Sequence, residues 1–118
     1  MIRLFALLVL AIVSLCSTAQ AQTFPSKPIR LVVPFAPGGG TDNLVRLLAA
    51  DASASLGQQI TIDNKPGGAT VGGTDMVAKA PADGYTILAS DSAFLTNPGL
   101  MKNLPYQTTR DFTGITMM

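Results

Sequence analysis

The chain has no histidine, no tryptophan and no glutamate, and its only cysteine is Cys16. Each absence removes a class of function. Without histidine there is no Ser-His-Asp or Cys-His triad and no imidazole metal site. Cys16 lies in an apolar leader, so the remainder has no thiol nucleophile and no disulfide framework; it must fold by its core alone. Charge is sparse and balanced. Beyond Arg3, seven Lys and Arg face seven Asp. That neutrality argues against nucleic acid and against anionic membrane surfaces as partners. It leaves small anions open, because backbone dipoles bind them without net charge.

The leader reads "MIRLFALLVLAIVSLCSTAQAQTF". One arginine precedes an apolar stretch from residue 4 to residue 13, and small and polar residues follow, closing on Ala19-Gln20-Ala21. This is the pattern of a secretory signal peptide over residues 1–21, with cleavage expected after Ala21. A membrane anchor needs roughly 18–20 apolar residues, so no membrane insertion is expected once the leader is removed. Leu15 before Cys16 disfavours lipid attachment. Residues 22–118 are long enough for one small domain that buries roughly 60–65% of its unfolded surface. They are too few for two lobes with a cleft between them.

Residues 29–35, "IRLVVPF", form a nearly continuous apolar run, the signature of a strand buried on both faces, and Pro34 marks its end. Leu44, Val45, Leu48, Ala49, Ala52 and Leu56 are spaced for a helix over residues 42–55, with Gly57 as its stop. "QQITIDN" is a short alternating strand. "KPGGATVGG" is a glycine-rich loop feeding a short helix over residues 74–80, and "PADG" is a turn before a third strand at residues 85–90. A helical piece is expected near residues 100–103, and "DFTGITMM" reads as the opening of a further strand. The order is β-α-β-α-β, an α/β sheet with right-handed crossovers.

Ligands of such sheets sit outside the carboxyl ends of the strands. Three loops occupy that edge: residues 36–42, 67–73 and 90–93. The first, "APGGGTD", runs into a helix start, where unpaired amides and the dipole favour an anion, and glycines let a ligand approach the main chain. Thr41 or Asp42 is expected as the N-cap. A carboxylate beside a bound anion repels it, so Asp42 is expected to turn inward and leave the Gly38, Gly39 and Gly40 amides and the Thr41 hydroxyl for the ligand. Nucleotide motifs fit poorly. Asn43 breaks G-x-G-x-x-G, and neither a G-x-x-x-x-G-K-[ST] nor a G-x-S-x-G occurs. With no Lys or Arg in the first loop, the design suits a carboxylate held by neutral donors. Four or five hydrogen bonds to a charged group, roughly 1.5–3 kcal/mol each, reach the ~8 kcal/mol of micromolar binding before ordering costs.

"PSKPIRLVVPFAPGGGTDNLVRLLA", "NKPGGATVGGTDMVAKAPADGYTIL", "NPGLMKNLPY" and "DFTGIT" follow the order and spacing of the tripartite tricarboxylate transporter substrate-binding proteins, the Bug family. The chain resembles that family over essentially all of residues 22–118. The resemblance implies a periplasmic-binding-protein-like (type II) fold whose two α/β lobes close on a small organic acid and pass it to a membrane permease of a tripartite transporter. It implies a periplasmic receptor that is monomeric when complete and needs no cofactor. Residues 22–118 would be part of the first lobe, without the second lobe and hinge strands. Carried over residue by residue, ligand contacts would come from Ala36, Gly38, Gly39, Gly40, Thr41 and Asp42, with Thr70, Ser90, Asp91 and Ser92 alongside. Phe35 would either flank the cleft or pack in the core. Two other readings stand beside this one: a truncated product without binding activity, and an exported enzyme using Asp42, Asp75 and Asp91 as acid–base groups.

Overall fold

The computed structural model describes residues 23–117. The signal-peptide expectation for residues 1–21 lies outside the described residues. Strand β1 (Ile29–Val33) leads into helix α1 (Gly40–Leu56), then strand β2 (Ile60–Asn64), a 3-10 turn (Gly68–Thr70) and helix α2 (Val71–Ala78). Strand β3 (Thr86–Leu88) and helix α3 (Ala93–Leu100) complete the order. The three strands form one parallel sheet in the order β2-β1-β3. Ile29 pairs with Ile60, and Arg30 pairs with both Thr61 and Thr86.

Burial follows from that order. β1 is central, and four of its five residues are buried, Arg30 alone being exposed. Leu31 and Val33 point to one face, where Val45 and Ala49 of α1 join them, with Ile60, Ile62 and Ile87 packed around the cluster. Arg30 and Val32 point to the other face. There the Arg30 guanidinium meets Asp63 and the Met76 sulfur of α2, and Val32 is fully buried. The sheet is therefore covered by α1 on one side and α2 on the other, the arrangement two right-handed crossovers of opposite direction require.

Four elements differ from the sequence expectation. Helix α1 starts two residues earlier, at Gly40, with Gly39 as N-cap and no side-chain cap bond, so neither Thr41 nor Asp42 is the cap. Helix α2 starts at Val71 rather than 74, because Gly72 and Gly73 belong to the helix and not to the loop. A Cβ on Gly73 would lie 2.8 Å from the Pro34 Cβ and 3.1 Å from the Lys65 carbonyl oxygen. That glycine serves close packing of α2 on the end of β1, not loop freedom.

The helix expected near residues 100–103 instead spans Ala93–Leu100 and runs through Pro98. Its start is held by Asp91, whose Oδ1 accepts the Ala93 N–H at 2.8 Å. Pro98 lacks only the one amide that would bond back a turn, and it does not stop so short a helix. Residues 111–117 are not a strand. Asp111 closes a turn by accepting the Gln107 N–H at 2.8 Å. Phe112 then stacks edge-on against Phe94 and Tyr106, with centroids 5.0 and 5.9 Å away. Aromatic packing holds this segment in place of a ladder.

Candidate ligand-binding site

With strand order β2-β1-β3, the chain leaves β1 towards β2 on one side and returns to β3 on the other. The crevice at that switch point lies between the loops that follow β1 and β3. Both loops hold expected site residues: Ala36, Gly38, Gly39, Gly40, Thr41 and Asp42 after β1, and Ser90, Asp91 and Ser92 after β3. Thr70 comes from the loop after β2. All three loops leave the carboxyl ends of parallel strands, so the topology gathers them on one sheet edge.

The first loop is organised by Asp42. Its side chain turns inward and is 1% exposed. As the third residue of α1 it reaches back past the N-cap, and its Oδ2 accepts the Gly38 N–H at 2.8 Å. The same oxygen accepts the Arg46 Nε–H at 2.8 Å, and Oδ1 accepts the Asn64 Nδ2–H at 2.8 Å. Arg46 also donates to Asn64 Oδ1, and Asn64 donates to the Phe35 carbonyl. The Arg46 guanidinium, the Gly38 amide and the Asn64 carboxamide together hold the Asp42 carboxyl far below the usual carboxylate range, against the effect of burial. Gly38 itself sits at φ +82°, where a side chain would strain the turn.

This network changes which donors face the crevice. The Gly38 amide, expected to be open to ligand, is engaged by Asp42. The Gly39 amide makes only a long 3.4 Å approach to the Ala36 carbonyl. The first bond of α1 runs from the Asn43 N–H to the Gly39 carbonyl, so the amides of Gly40, Thr41 and Asp42 have no partner within the helix. The anion-ready donors are thus Gly39 to Asp42, one residue later than expected. Asp42 sits beside them but is paired with Arg46, so its charge is offset where a ligand anion would approach.

Phe35 is half-buried and packs on the core cluster, which favours the second of its two expected roles. Ser90 follows β3 with its Oγ buried and without a hydrogen-bond partner among the described residues. Asp91 is exposed and its Oδ1 accepts the Ala93 N–H at the start of α3, and Ser92 is exposed at the N-cap position of that helix. Thr70 is buried, 7% exposed, in a left-handed conformation at φ +70°.

Sequence reasoning missed Arg46, Asn64 and Asn97, whose Nδ2 donates to the Ala69 carbonyl at 2.8 Å. The first could have been found from its i,i+4 spacing to Asp42, but Asn64 and Asn97 act across the fold and leave no local signal. Of the acid–base candidates Asp42, Asp75 and Asp91, Asp42 is bound by Arg46, Asp91 by the Ala93 amide, and Asp75 by Lys79 at 2.6 Å through Oδ2, its Oδ1 being buried without a partner among the described residues. Among the described residues no group of three or more metal-type ligands occurs, and no helix is long and apolar enough to cross a membrane.

A doubly wound parallel sheet with an anion-ready helix start at its switch point defines part of a lobe of the periplasmic binding protein class. Comparison with known proteins narrows this. The model of the "Tripartite tricarboxylate transporter family receptor" family matches residues 44–118. Protein BugT of Bordetella pertussis is 39% identical, over 100% of this chain and 37% of its own length. The solved periplasmic binding protein BugD is 43% identical with a TM-score of 0.73, over 75% of this chain and 30% of BugD. MatC of Rhodopseudomonas palustris, solved with bound malate, is 36% identical with a TM-score of 0.66, over 76% of this chain and 31% of its own. A further R. palustris protein, solved with adipate, is 39% identical with a TM-score of 0.69, over 73% of this chain and 29% of its own. The chain belongs to the tripartite tricarboxylate transporter receptor family, in its Bug branch. The family and these structures are solute-binding receptors rather than enzymes, and they group the chain with periplasmic proteins. The chain spans about a third of the length of the curated relatives it matches.

Proposed function

We propose that residues 22–118 form the first-lobe half of a carboxylate-binding site in a periplasmic solute receptor, exported by a leader over residues 1–21 that is cleaved after Ala21. The ligand is a small organic acid, delivered to the membrane permease of a tripartite transporter by a monomeric receptor whose second lobe closes the cleft. One observation carries the reading: Asp42 is folded away from the crevice and neutralised by Arg46, while the α1 first-turn amides beside it have no helical partner. A phosphate site of this kind would place a cation in the loop; here the nearest cation is already paired with Asp42. Gly39, Gly40, Thr41 and Asp42 supply main-chain donors, with Ala36 and Gly38 shaping the turn and Thr70, Ser90, Asp91 and Ser92 lining the opposite side. The malate and adipate bound by two relatives are both dicarboxylates, which supports the same ligand class.

Equilibrium dialysis of the purified chain joined to a family second lobe, against malate, adipate, citrate and a neutral sugar, tests the proposal. Saturable binding of at least one acid, and none of the sugar, is expected. Retention of no acid, or equal retention of the sugar, refutes it.

A further inference from the structure

Two adjacent residues other than glycine, Ala69 and Thr70, occupy the left-handed region, at φ 49° and φ 70°. A β-branched threonine there is a backbone outlier that surrounding contacts must hold in place. The contacts come from Asn97, which is 4% exposed on α3. Its Nδ2 donates to the Ala69 carbonyl at 2.8 Å and to Thr70 Oγ1 at 3.3 Å. The Ala69 carbonyl can only accept, so the amide nitrogen must be the end of Asn97 that faces this turn. Both hydrogens of that nitrogen are then engaged.

The consequence falls on Thr70. Its amide donates to the Gly67 carbonyl, and its carbonyl accepts the Thr74 hydroxyl at 2.8 Å. The backbone of Thr70 is therefore internally paired, and only its hydroxyl remains for a ligand. Because Oγ1 accepts from Asn97, the hydroxyl hydrogen is directed elsewhere, and no acceptor takes it among the described residues. A buried hydroxyl so polarised is a donor, suited to an acceptor-only group such as a carboxylate oxygen.

We infer that Asn97 is a positioning residue of the ligand site: it holds Ala69 and Thr70 left-handed and makes the Thr70 hydroxyl a donor towards a ligand carboxylate. This rests on the carboxylate reading above, but its conformational half does not. It differs from the first-loop grip in that the Asn97 side chain acts on Thr70 rather than on the ligand.

The test has two arms. The first is NMR of the purified chain without ligand, reading the intraresidue amide–Hα NOE of Ala69 and Thr70, which is strong only at positive φ. It is applied to the parent, Asn97→Ala, the near-isosteric Asn97→Asp, and Ala69→Gly combined with Asn97→Ala. The strong NOEs are expected in the parent and lost at both Asn97 variants. Glycine at 69 relieves strain only at that position, so the Thr70 NOE is expected to stay lost in the double variant. Persistence of both NOEs in Asn97→Ala and Asn97→Asp overturns the inference.

The second arm is calorimetric titration with malate and adipate in the two-lobe protein. Asn97→Asp and Thr70→Val should each weaken binding about tenfold or more, the worth of one hydrogen bond to a charged group. Combined, they should weaken it little further than either alone, since both remove the same donor. Full additivity, or unchanged affinity in Asn97→Asp, overturns the positioning role. If the parent binds neither acid, the carboxylate reading fails, and the NOEs still decide whether Asn97 holds the turn.

Discussion

A methyl group placed on Gly73 would lie 2.8 Å from the Pro34 Cβ, 3.1 Å from the Lys65 carbonyl oxygen and 3.2 Å from the Lys65 Cβ. None of these atoms is the free end of a flexible side chain. Relief therefore requires α2 to lift from the ends of β1 and β2, and overpacking of this kind costs about 1–3 kcal/mol. Alanine also raises helix propensity by about 1 kcal/mol over glycine, so the net loss for Gly73→Ala is about 0–2 kcal/mol. The adjacent Gly72 provides the control. It is exposed in the same helix, and a Cβ there meets nothing within 4 Å. Gly72→Ala gains only the propensity term and should stabilise by about 0.5–1 kcal/mol. With a urea slope of about 1 kcal/mol/M, the Gly73→Ala midpoint should fall about 0.5–3 M below that of Gly72→Ala. Urea titration followed by far-UV circular dichroism reads both. If Gly73→Ala is stabilised as much as Gly72→Ala, the glycine pair is loop-like and the packing of α2 on Pro34 is wrong.

Three further outcomes can be checked in the same way. Val45 is 1% exposed at the centre of the α1–sheet contact, so Val45→Ala should cost about 2–3 kcal/mol of unfolding free energy. The Tyr106 hydroxyl is buried without a hydrogen-bond partner among the described residues, so Tyr106→Phe should leave stability unchanged or raise it by up to about 1 kcal/mol; a clear loss would reveal a partner. Asp42 has a folded pKa far below its unfolded value, because of Arg46, Gly38 and Asn64. Its contribution to stability is complete above about pH 3.9, its unfolded value, and is lost as pH falls from there through the lower folded value. Asp42→Asn should therefore be less stable than the parent at neutral pH and show a shallower decline below about pH 4; parallel pH profiles would refute the network.

The apolar run of β1, the helical spacing of α1 and the alternation of β2 were all legible, because each is a local pattern that burial enforces. The misplaced elements share a physical cause. Gly72 and Gly73 look like loop residues in isolation, and only contact with Pro34 and Lys65 shows why a helix contains them. Pro98 looks like a breaker, and only the Asp91–Ala93 bond shows that the helix begins far enough upstream to tolerate it. The inward turn of Asp42 could be argued from charge alone, since a free carboxylate at an anion site is self-defeating. Its partners could not, for Asn64 lies 22 residues away and is brought in by the pairing of β2 with β1.

The same absence of charge that excludes so many functions explains how the proposed site is built. The chain has few cations, and the Arg46 beside the crevice is already paired with Asp42. A ligand anion then finds main-chain amides whose positions are set by the network rather than by the ligand. Binding through such donors avoids desolvating a lysine or arginine, and it discriminates by geometry more than by net charge. Fixed amides suit carboxylates, whose oxygens accept in a plane, and suit less well a multiply charged phosphate that gains most from a cation. Substituting Arg46 distinguishes this from a direct cation–ligand contact. Arg46→Gln should weaken malate binding in the two-lobe protein by exposing the ligand to an unpaired Asp42 carboxylate, and Asp42→Asn added to it should recover part of the loss. If the double variant binds no better than Arg46→Gln alone, the loss comes from a direct Arg46–ligand contact and the backbone-only grip is refuted.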